Sequence, residues 1–297
     1  MKVSVIMNCY NSDTYLKEAI DSIYAQTYTN WEIIFWDNQS TDNSAEIAQS
    51  YDDKLNYYFS ESHTTLGEGR NNALRRANGE LIAFLDCDDR WVPNKLADQV
   101  AIFNVKPAVQ LVYSNYHALE QNNRRKKIVY KNENPSGNVF MSALEKYPVG
   151  ILTAVIRKSV LDTLTEWFDT KLSLAEDYDF FMRIILNHDV YYSHLPLATY
   201  RVHINNLTNT NQMNFLSEEI YCYQKLIKLT TSKSMQSKLQ EMINSKQIEI
   251  AFRNYLIKNR FLAFFKILST FKSHCNLRKI MYFILRYIVV KLRRIKF

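Results

Sequence analysis

Three carboxylates close a hydrophobic run. In LIAFLDCDDRW, Leu81 to Trp91, apolar residues that would bury as a strand lead straight into Asp86, Asp88 and Asp89. Carboxylates crowded at one strand end repel one another unless a cation or hydrogen bonds offset their charge. Mg²⁺ and Mn²⁺ prefer oxygen ligands and are often held by one or two carboxylates together with the phosphates of a substrate. The run therefore suits a metal and a phosphorylated ligand. It also suits a plain turn, or a cap for the helix expected after Pro93.

Two further groups could join such a site. Arg70 follows LGEG at the start of an expected helix, where a guanidinium and the helix N-terminus can together receive a phosphate oxygen; otherwise it is a surface arginine. Glu176 and Asp177 open another helix in LAEDYDFFMRI, where a carboxylate serves as a cap or dipole partner, or as a base if the rest of a site lies beside it. No Gly-Lys-Ser/Thr follows the glycines and GxGxxG is absent, which disfavours a P-loop or dinucleotide enzyme.

The elements that must position these groups alternate. KVSVIM, EIIFW, LNYYF and LIAFL read as strands, and Thr14 to Gln26, Ser40 to Ser50 and Gly69 to Ala77 read as helices between them. Pro93 fits the first turn of a helix to about Asn104, VQLVYS a fifth strand, ILTAVI another, and Asp177 to about Asn187 a helix with Phe180, Phe181, Ile184 and Ile185 on one face. The polar, basic segment QNNRRKKIVYKNENPSGN is expected as a loop or hairpin at the rim. This order predicts an α/β fold with a mostly parallel central sheet covered on both faces. Ligands of such sheets bind outside the carboxyl ends of the strands, where Asn8, Tyr10, Asn11, Asp37, Asn38 and Asp86 to Asp89 would converge.

At 297 residues and 47% hydrophobic the chain can bury one large core or two smaller ones. Its four cysteines are too scattered for a disulfide framework or a paired metal site, and the apolar start is too short for a signal peptide. Both point to a reduced, cytoplasmic protein. After YRVHINNLTNTNQ strand signals cease, so a boundary is expected near Asn211, with residues 1–211 as one domain and 212–297 as a basic α-helical region. The net charge of +7 conceals an asymmetry: Phe215 to Phe297 holds 17 Lys+Arg against 4 Asp+Glu, and the rest of the chain 20 against 26.

Taken in order, the motifs resemble glycosyltransferase family 2, the inverting, nucleotide-sugar-dependent enzymes with the GT-A, Rossmann-like fold. SVIMNCYN resembles the family's SVI-I-P-T-Y-N start, with Asn8 and Cys9 replacing Pro and Thr; FWDNQSTDNS is similar to its V-D-D-G-S-T-D turn and GEGRNNAL to its A-R-N segment. FLDCDD resembles the DxD signature, EDYDFFMRI the segment carrying the base, and YRVH a late segment near the metal. The resemblance covers Lys2 to about Thr208. It implies that Asn8, Tyr10 and Asp37 contact the nucleoside, that Arg70 touches the diphosphate, and that Asp86 and Asp88 take the outer DxD positions. Asp88 would bind the metal, Asp86 would contact the ribose or support the metal site, Asp89 would share the metal role, His203 would complete its shell, and Asp177 would be the general base. The implied cofactor is Mn²⁺ or Mg²⁺, and the donor a UDP-sugar by preference. The intact DxD and Asp177 weigh against an inactive nucleotide-sugar-binding module.

Tyr255 to Phe297 carries 11 Lys+Arg and no acid, with Lys279, Arg286 and Arg293 seven apart among aliphatic and aromatic residues. No apolar run there is long enough to span a bilayer, so the segment reads as a helix on an anionic membrane surface. Packing on protein, including formation of a homo-oligomer, is one alternative; nucleic-acid binding through the basic stripe is another. The membrane reading implies an enzyme on the inner face of the cytoplasmic membrane, acting on a glycan or polyprenyl-linked acceptor in bacterial-type surface polysaccharide assembly.

Overall fold

The computed structural model describes residues 1–120, 125–203, 206 and 212–258. The chain divides into two compact units, Met1–Asn211 and Gln212–Phe297. The first is an α/β unit on a nine-stranded sheet. Its opening half follows the expected alternation: β1 (Val3–Cys9), α1 (Asp13–Tyr24), β2 (Trp31–Asp37), α2 (Ser44–Gln49), β3 (Leu55–Phe59), α3 (Leu66–Leu74) and β4 (Leu81–Phe84). These strands lie in the order β3-β2-β1-β4, all parallel, so their carboxyl ends share one edge. Every residue of β2 and all of β1 except Asn8 are buried. Helices on both faces exclude water from such strands, which is why they read as continuous apolar runs.

The second half mixes directions. It comprises β5 (Arg90–Trp91), α4 (Lys95–Val105), β6 (Leu111–Glu120), β7 (Arg125–Ile128), α5 (Phe140–Glu145), β8 (Val155–Arg157), α6 (Glu176–Asn187) and β9 (Val190–Val202). Strand β8 runs antiparallel between β4 and β6, β9 lies parallel to β6, and β5 pairs antiparallel with β9. Strand β7, within the segment expected as a loop or hairpin, pairs antiparallel with β6. Most of the paired length in the sheet is parallel.

Several boundaries differ from the sequence expectation. ILTAVI is not one strand: Ile151–Thr153 is a 3₁₀ turn, closed by the Thr153 amide and hydroxyl on the Gly150 carbonyl at 2.8 and 2.7 Å, and pairing begins at Val155. Helix α2 starts at Ser44 instead of Ser40, because Asp42 accepts from the Ser44 amide at 3.0 Å and Gln39 sits at φ 69°. Helix α3 starts earlier than expected, capped by Thr65 on the Glu68 amide. Pro93 precedes α4 without entering it, its carbonyl accepting from the Thr27 amide at 2.8 Å. The long β9 was not expected as a strand.

The two faces of β4 carry different cores. Ala83 and the following Leu85 and Cys87 share a cluster with Val5, Met7 and Cys9 of β1 and with Leu16 and Ile20 of α1. Phe84 points the other way and meets Phe168, Phe180 and Phe181 edge to face at 5.8, 6.1 and 5.9 Å. Helix α6 is thereby seated on the sheet. Its buried Arg183 fixes the helix further, bonding Asp179 at 2.8 Å and the carbonyls of Glu166 and Trp167. Cys9 and Cys87 are buried free thiols and Cys222 is buried; Cys275 lies outside the described residues.

In the second unit, α7 (Gln212–Leu229) and α8 (Lys233–Lys258) are joined by a short turn in which Thr230 accepts from the Ser232 amide at 3.2 Å. Leu216, Cys222, Tyr223 and Leu226 of α7 and Leu239 and Ile243 of α8 are buried, and Lys246 bonds Glu219 at 2.5 Å. Among the described residues no helix is long and apolar enough to cross a membrane. The expected surface helix of the basic tail lies almost wholly outside the described residues.

Phe180 is fully buried and stacks on Phe168 at 4.3 Å. Phe180→Ala is expected to cost about 3–5 kcal/mol of stability, read by urea unfolding of the full chain, because the cavity forms under a helix held on both sides.

Candidate active site

The carboxyl ends of β1, β2 and β4 meet at the expected edge, and the loops there are cross-linked. Asp37 is fully buried at the end of β2, accepting from the Tyr57 hydroxyl and the Ser40 amide, both at 2.7 Å. Asn38 takes hold of Thr64 in three ways: its oxygen accepts from the Thr64 amide and hydroxyl at 3.0 and 2.9 Å, and its amide donates to the Thr64 carbonyl at 2.8 Å. The loop after β2 is thus tied to the loop before α3. Asp37 is turned inward, where it organises the loop.

Tyr10 stays open, 50% exposed, with its ring 4.4 Å from that of His63. The His63 Nδ1 lies 3.0 Å from the Asn38 carbonyl, which fixes the pair at the mouth of the edge. Asn8 is partly buried against α3, and its side-chain oxygen has no hydrogen-bond partner among the described residues. A Cβ on Gly69 would come within 2.3 Å of that oxygen, so only glycine lets the helix approach so closely.

Arg70 is the central cation. It is 4% exposed, and its two terminal nitrogens reach Asp86 at 2.9 Å and Glu176 at 2.8 Å. Burial works against its charge, but Asp86 and Glu176 outweigh that and hold it protonated. It is buried, not the surface arginine of the alternative reading, and it braces the end of β4 against the start of α6. Asn71 supports the brace, bonding Phe168 through the Phe168 amide at 2.9 Å and the Phe168 carbonyl at 2.8 Å. Glu176, passed over in the sequence as a cap, is the anchor at the far end, and its second oxygen is buried without a partner among the described residues.

Asp177, half-buried in the first turn of α6, accepts from the amide of Tyr178 at 2.7 Å. Burial, and then the adjacent Glu176 carboxylate, push its carboxyl up to about 7, with Arg70 opposing. Glu176 is also raised, by burial, again against Arg70. A group titrating near 7 can take a proton from a substrate at neutral pH and release it afterwards.

The four residues expected around a metal separate. Asp88 and His203 pair, Oδ2 to Nε2 at 2.9 Å, both partly open to solvent. Burial, then Asp86, raise the Asp88 carboxyl, and His203 opposes. Asp86 belongs to Arg70, and Asp89 is buried with its Oδ1 on the Arg201 amide at 2.9 Å. Arg201, quoted in YRVH without a role, holds the Asp88 carbonyl at 2.9 Å and Glu18 at 2.8 Å, while its guanidinium covers the Tyr15 ring at 4.2 Å. Asn206 accepts from the His203 amide at 2.6 Å. Among the described residues no three His, Cys, Asp or Glu side chains converge as a metal cage. A carboxylate and an imidazole side by side nevertheless suit Mn²⁺ or Mg²⁺ when a ligand's phosphate oxygens fill the remaining positions.

Comparison with known proteins adds to this geometry. The family model described as Glycosyl transferase family 2 matches residues 4–165. An uncharacterized glycosyltransferase of Rickettsia typhi is 31% identical over 236 residues, 78% of this chain and 74% of the relative. The Escherichia coli UDP-Glc:alpha-D-GlcNAc-diphosphoundecaprenol beta-1,3-glucosyltransferase WfgD is 31% identical over 189 residues, 63% of this chain and 71% of the relative. Among solved structures, Staphylococcus aureus TarS 1-349 in complex with UDP-GlcNAc superposes with a TM-score of 0.68 at 20% identity, covering 94% of this chain and 83% of that one. The fold is the GT-A fold.

The raised Asp177 carboxyl makes a stability prediction. An unfolded aspartate titrates near 4, so between about 4 and 7 the folded chain retains a proton that the unfolded chain has released. The stability this contributes is complete below that range and is lost as pH rises through about 7. Asp177→Asn avoids the loss. At pH 8.5 it is expected to unfold at higher temperature than the parent, by the equivalent of about 1–2 kcal/mol after allowing for partial exposure, and the gain should vanish towards pH 4 in a calorimetric series.

Proposed function

The chain belongs to glycosyltransferase family 2, and we propose that it moves a sugar from a nucleoside-diphosphate sugar to an acceptor hydroxyl with inversion at the anomeric carbon. The observation that carries this reading is the Arg70 brace, which ties the Asp86 end of the donor edge to the helix whose next residue is Asp177. A base is thereby held beside the edge where donors of α/β sheets bind. Asp177, ionised above about pH 7, takes the proton of the acceptor hydroxyl as that oxygen attacks. No second carboxylate nucleophile is required in a single displacement.

The exposed Tyr10 and His63 rings offer an apolar face to a nucleobase, with Asp37 and Asn38 holding the surrounding loops and Asn8 lying against Gly69 below. Asp88 and His203 would hold a divalent cation, supported from behind by Arg201 and Asn206. Such a cation supplies positive charge to the departing diphosphate, more useful in the transition state than before it. Asp86, with Arg70 behind it, is left to contact the ribose; Asp89 supports the Asp88 segment through the Arg201 backbone.

A UDP-sugar donor and an acceptor linked to a lipid diphosphate are supported by the substrates named for the WfgD relative. The basic stretch from Tyr255 onward supports work at the inner membrane surface, where such an acceptor lies. Co-sedimentation of the full chain with vesicles containing phosphatidylglycerol, and none with phosphatidylcholine vesicles, is the outcome this location requires.

The assignment of roles is tested by three readings on the full chain. Transfer, as kcat/KM, should rise with pH to a plateau above about 7, the direction expected of a base that works deprotonated. Asp177→Asn should lower kcat by about 10²–10⁴-fold while UDP still raises the melting temperature. Asp88→Ala should abolish the extra shift that Mn²⁺ adds to UDP. Near-normal turnover in Asp177→Asn would remove the base assignment.

A further inference from the structure

Beyond the donor edge, the first unit holds a group of tyrosines beside Asp177 with no part in the scheme above. Tyr147 lies just past α5, and its ring meets that of Tyr178 edge to face at 4.8 Å. Tyr178 directly follows Asp177. Tyr116 on β6 and Tyr130 beyond β7 meet at 5.9 Å, also edge to face, and both are half-buried. Their position is built: at the bulge in β6, Asn115 donates to the Tyr130 carbonyl at 2.7 Å and accepts from the Tyr130 amide at 3.1 Å. Gly150 keeps the edge of Tyr116 clear, since a Cβ there would come within 3.2 Å of the ring.

The Tyr147 hydroxyl separates this group from ordinary core: it is buried and, among the described residues, has no hydrogen-bond partner. The deeper Tyr113 of the same cluster donates to the Pro135 carbonyl at 3.2 Å. A buried hydroxyl without a partner costs free energy, so its persistence beside a candidate base calls for a bonding partner that arrives with a ligand. Burial first, and the charge of Asp177 next, keep the phenol protonated and so a donor. The residue before Tyr147, Lys146, holds its ammonium 5.5 Å from the centre of the Tyr130 ring, which brings the two tyrosine pairs into one neighbourhood.

We propose that Tyr116, Tyr130, Tyr147 and Tyr178 form the acceptor subsite, that it takes a pyranosyl ring, and that the Tyr147 hydroxyl bonds an oxygen of that ring's rim. The chemistry fits a sugar better than a plain alcohol. A pyranose presents C–H groups on its faces, which aromatic rings receive, and hydroxyls around its edge, which need a few placed polar atoms. The inference rests on the reading of Asp177 as base. In that reading the acceptor O–H gives its proton to Asp177, the oxygen forms a bond to the donor's anomeric carbon, and the bond from that carbon to the phosphate oxygen breaks, its electron pair leaving with the nucleoside diphosphate.

The test uses the full chain with UDP and Mn²⁺, and octyl glycosides of glucose, galactose, mannose and N-acetylglucosamine as probes, with octanol as control. Saturation-transfer NMR should detect at least one glycoside on the parent protein and not octanol. Tyr147→Phe should weaken that glycoside about tenfold, the effect of one hydrogen bond, and Tyr116→Ala by more. Where transfer is measured, the glycoside KM should rise far more than the donor KM. A second reading separates binding from structure: Tyr147→Phe should melt at the same or a higher temperature, because the atom removed has no partner among the described residues.

Glycoside binding that ignores Tyr147→Phe, or no glycoside binding to the parent, overturns the subsite. Hydrolysis of UDP-glucose by the parent in the same samples would leave the transferase reading standing in that case. Binding that depends on Tyr147 in a protein that neither transfers nor hydrolyses nucleotide sugars would instead remove the transferase reading and keep a sugar site.

Discussion

A guanidinium with almost no exposure to water holds this molecule's chemistry together. Arg70 stands between Asp86 and Glu176, and its removal would leave two carboxylates without their cation, one of them buried. Breaking such a pair is far more costly than never having built it, because the remaining charge stays desolvated. The constraint runs in both directions along the chain. It sets how α3 and α6 sit on β4, and it limits how far the Asp177 carboxyl is raised by opposing the effect of burial.

The elements around the brace act as its supports. Asn71, the residue after Arg70, bonds the backbone of Phe168, and Phe168 lies under both the guanidinium, at 5.5 Å, and the ring of Phe180. Helix α6 is gripped again by Arg183 on the carbonyls before Phe168. The apolar contact that stabilises the fold and the polar contact that orients the site therefore share one segment. Arg201, near the end of the long β9, does similar work for Asp88, reaching back across more than a hundred residues of sequence.

Much of the fold was legible in the sequence. Strands buried on both faces and helices with one apolar stripe leave patterns a few residues long, and the first four strands and their helices lie close to where those patterns put them. Failures were local competitions that periodicity does not register: Asp42 bonding the Ser44 amide delayed α2, and the Gly150 carbonyl turned Ile151 to Thr153 out of the expected strand. Strand β9 escaped because its pairing partners are remote, and nothing in its own composition demands them.

The division within the site has the same origin. By itself the sequence determined the kind of protein, since the order and spacing of DNQSTD, GEGRNN, LDCDD, ED and YRVH survive without knowledge of any contact. It also determined which residue types could bind phosphate, hold a metal or take a proton. Only the tertiary structure decided where those residues are held: Arg70 became a buried brace, Asp37 took the Ser40 amide and the Tyr57 hydroxyl, Asp89 took the Arg201 amide, Asp88 met His203, and Tyr147 came to rest against Tyr178, the neighbour of Asp177. A carboxylate's role depends on which donor lies within about 3 Å and how much water remains around it. Both are set by groups distant in sequence, so neither is written in the residue's own neighbourhood.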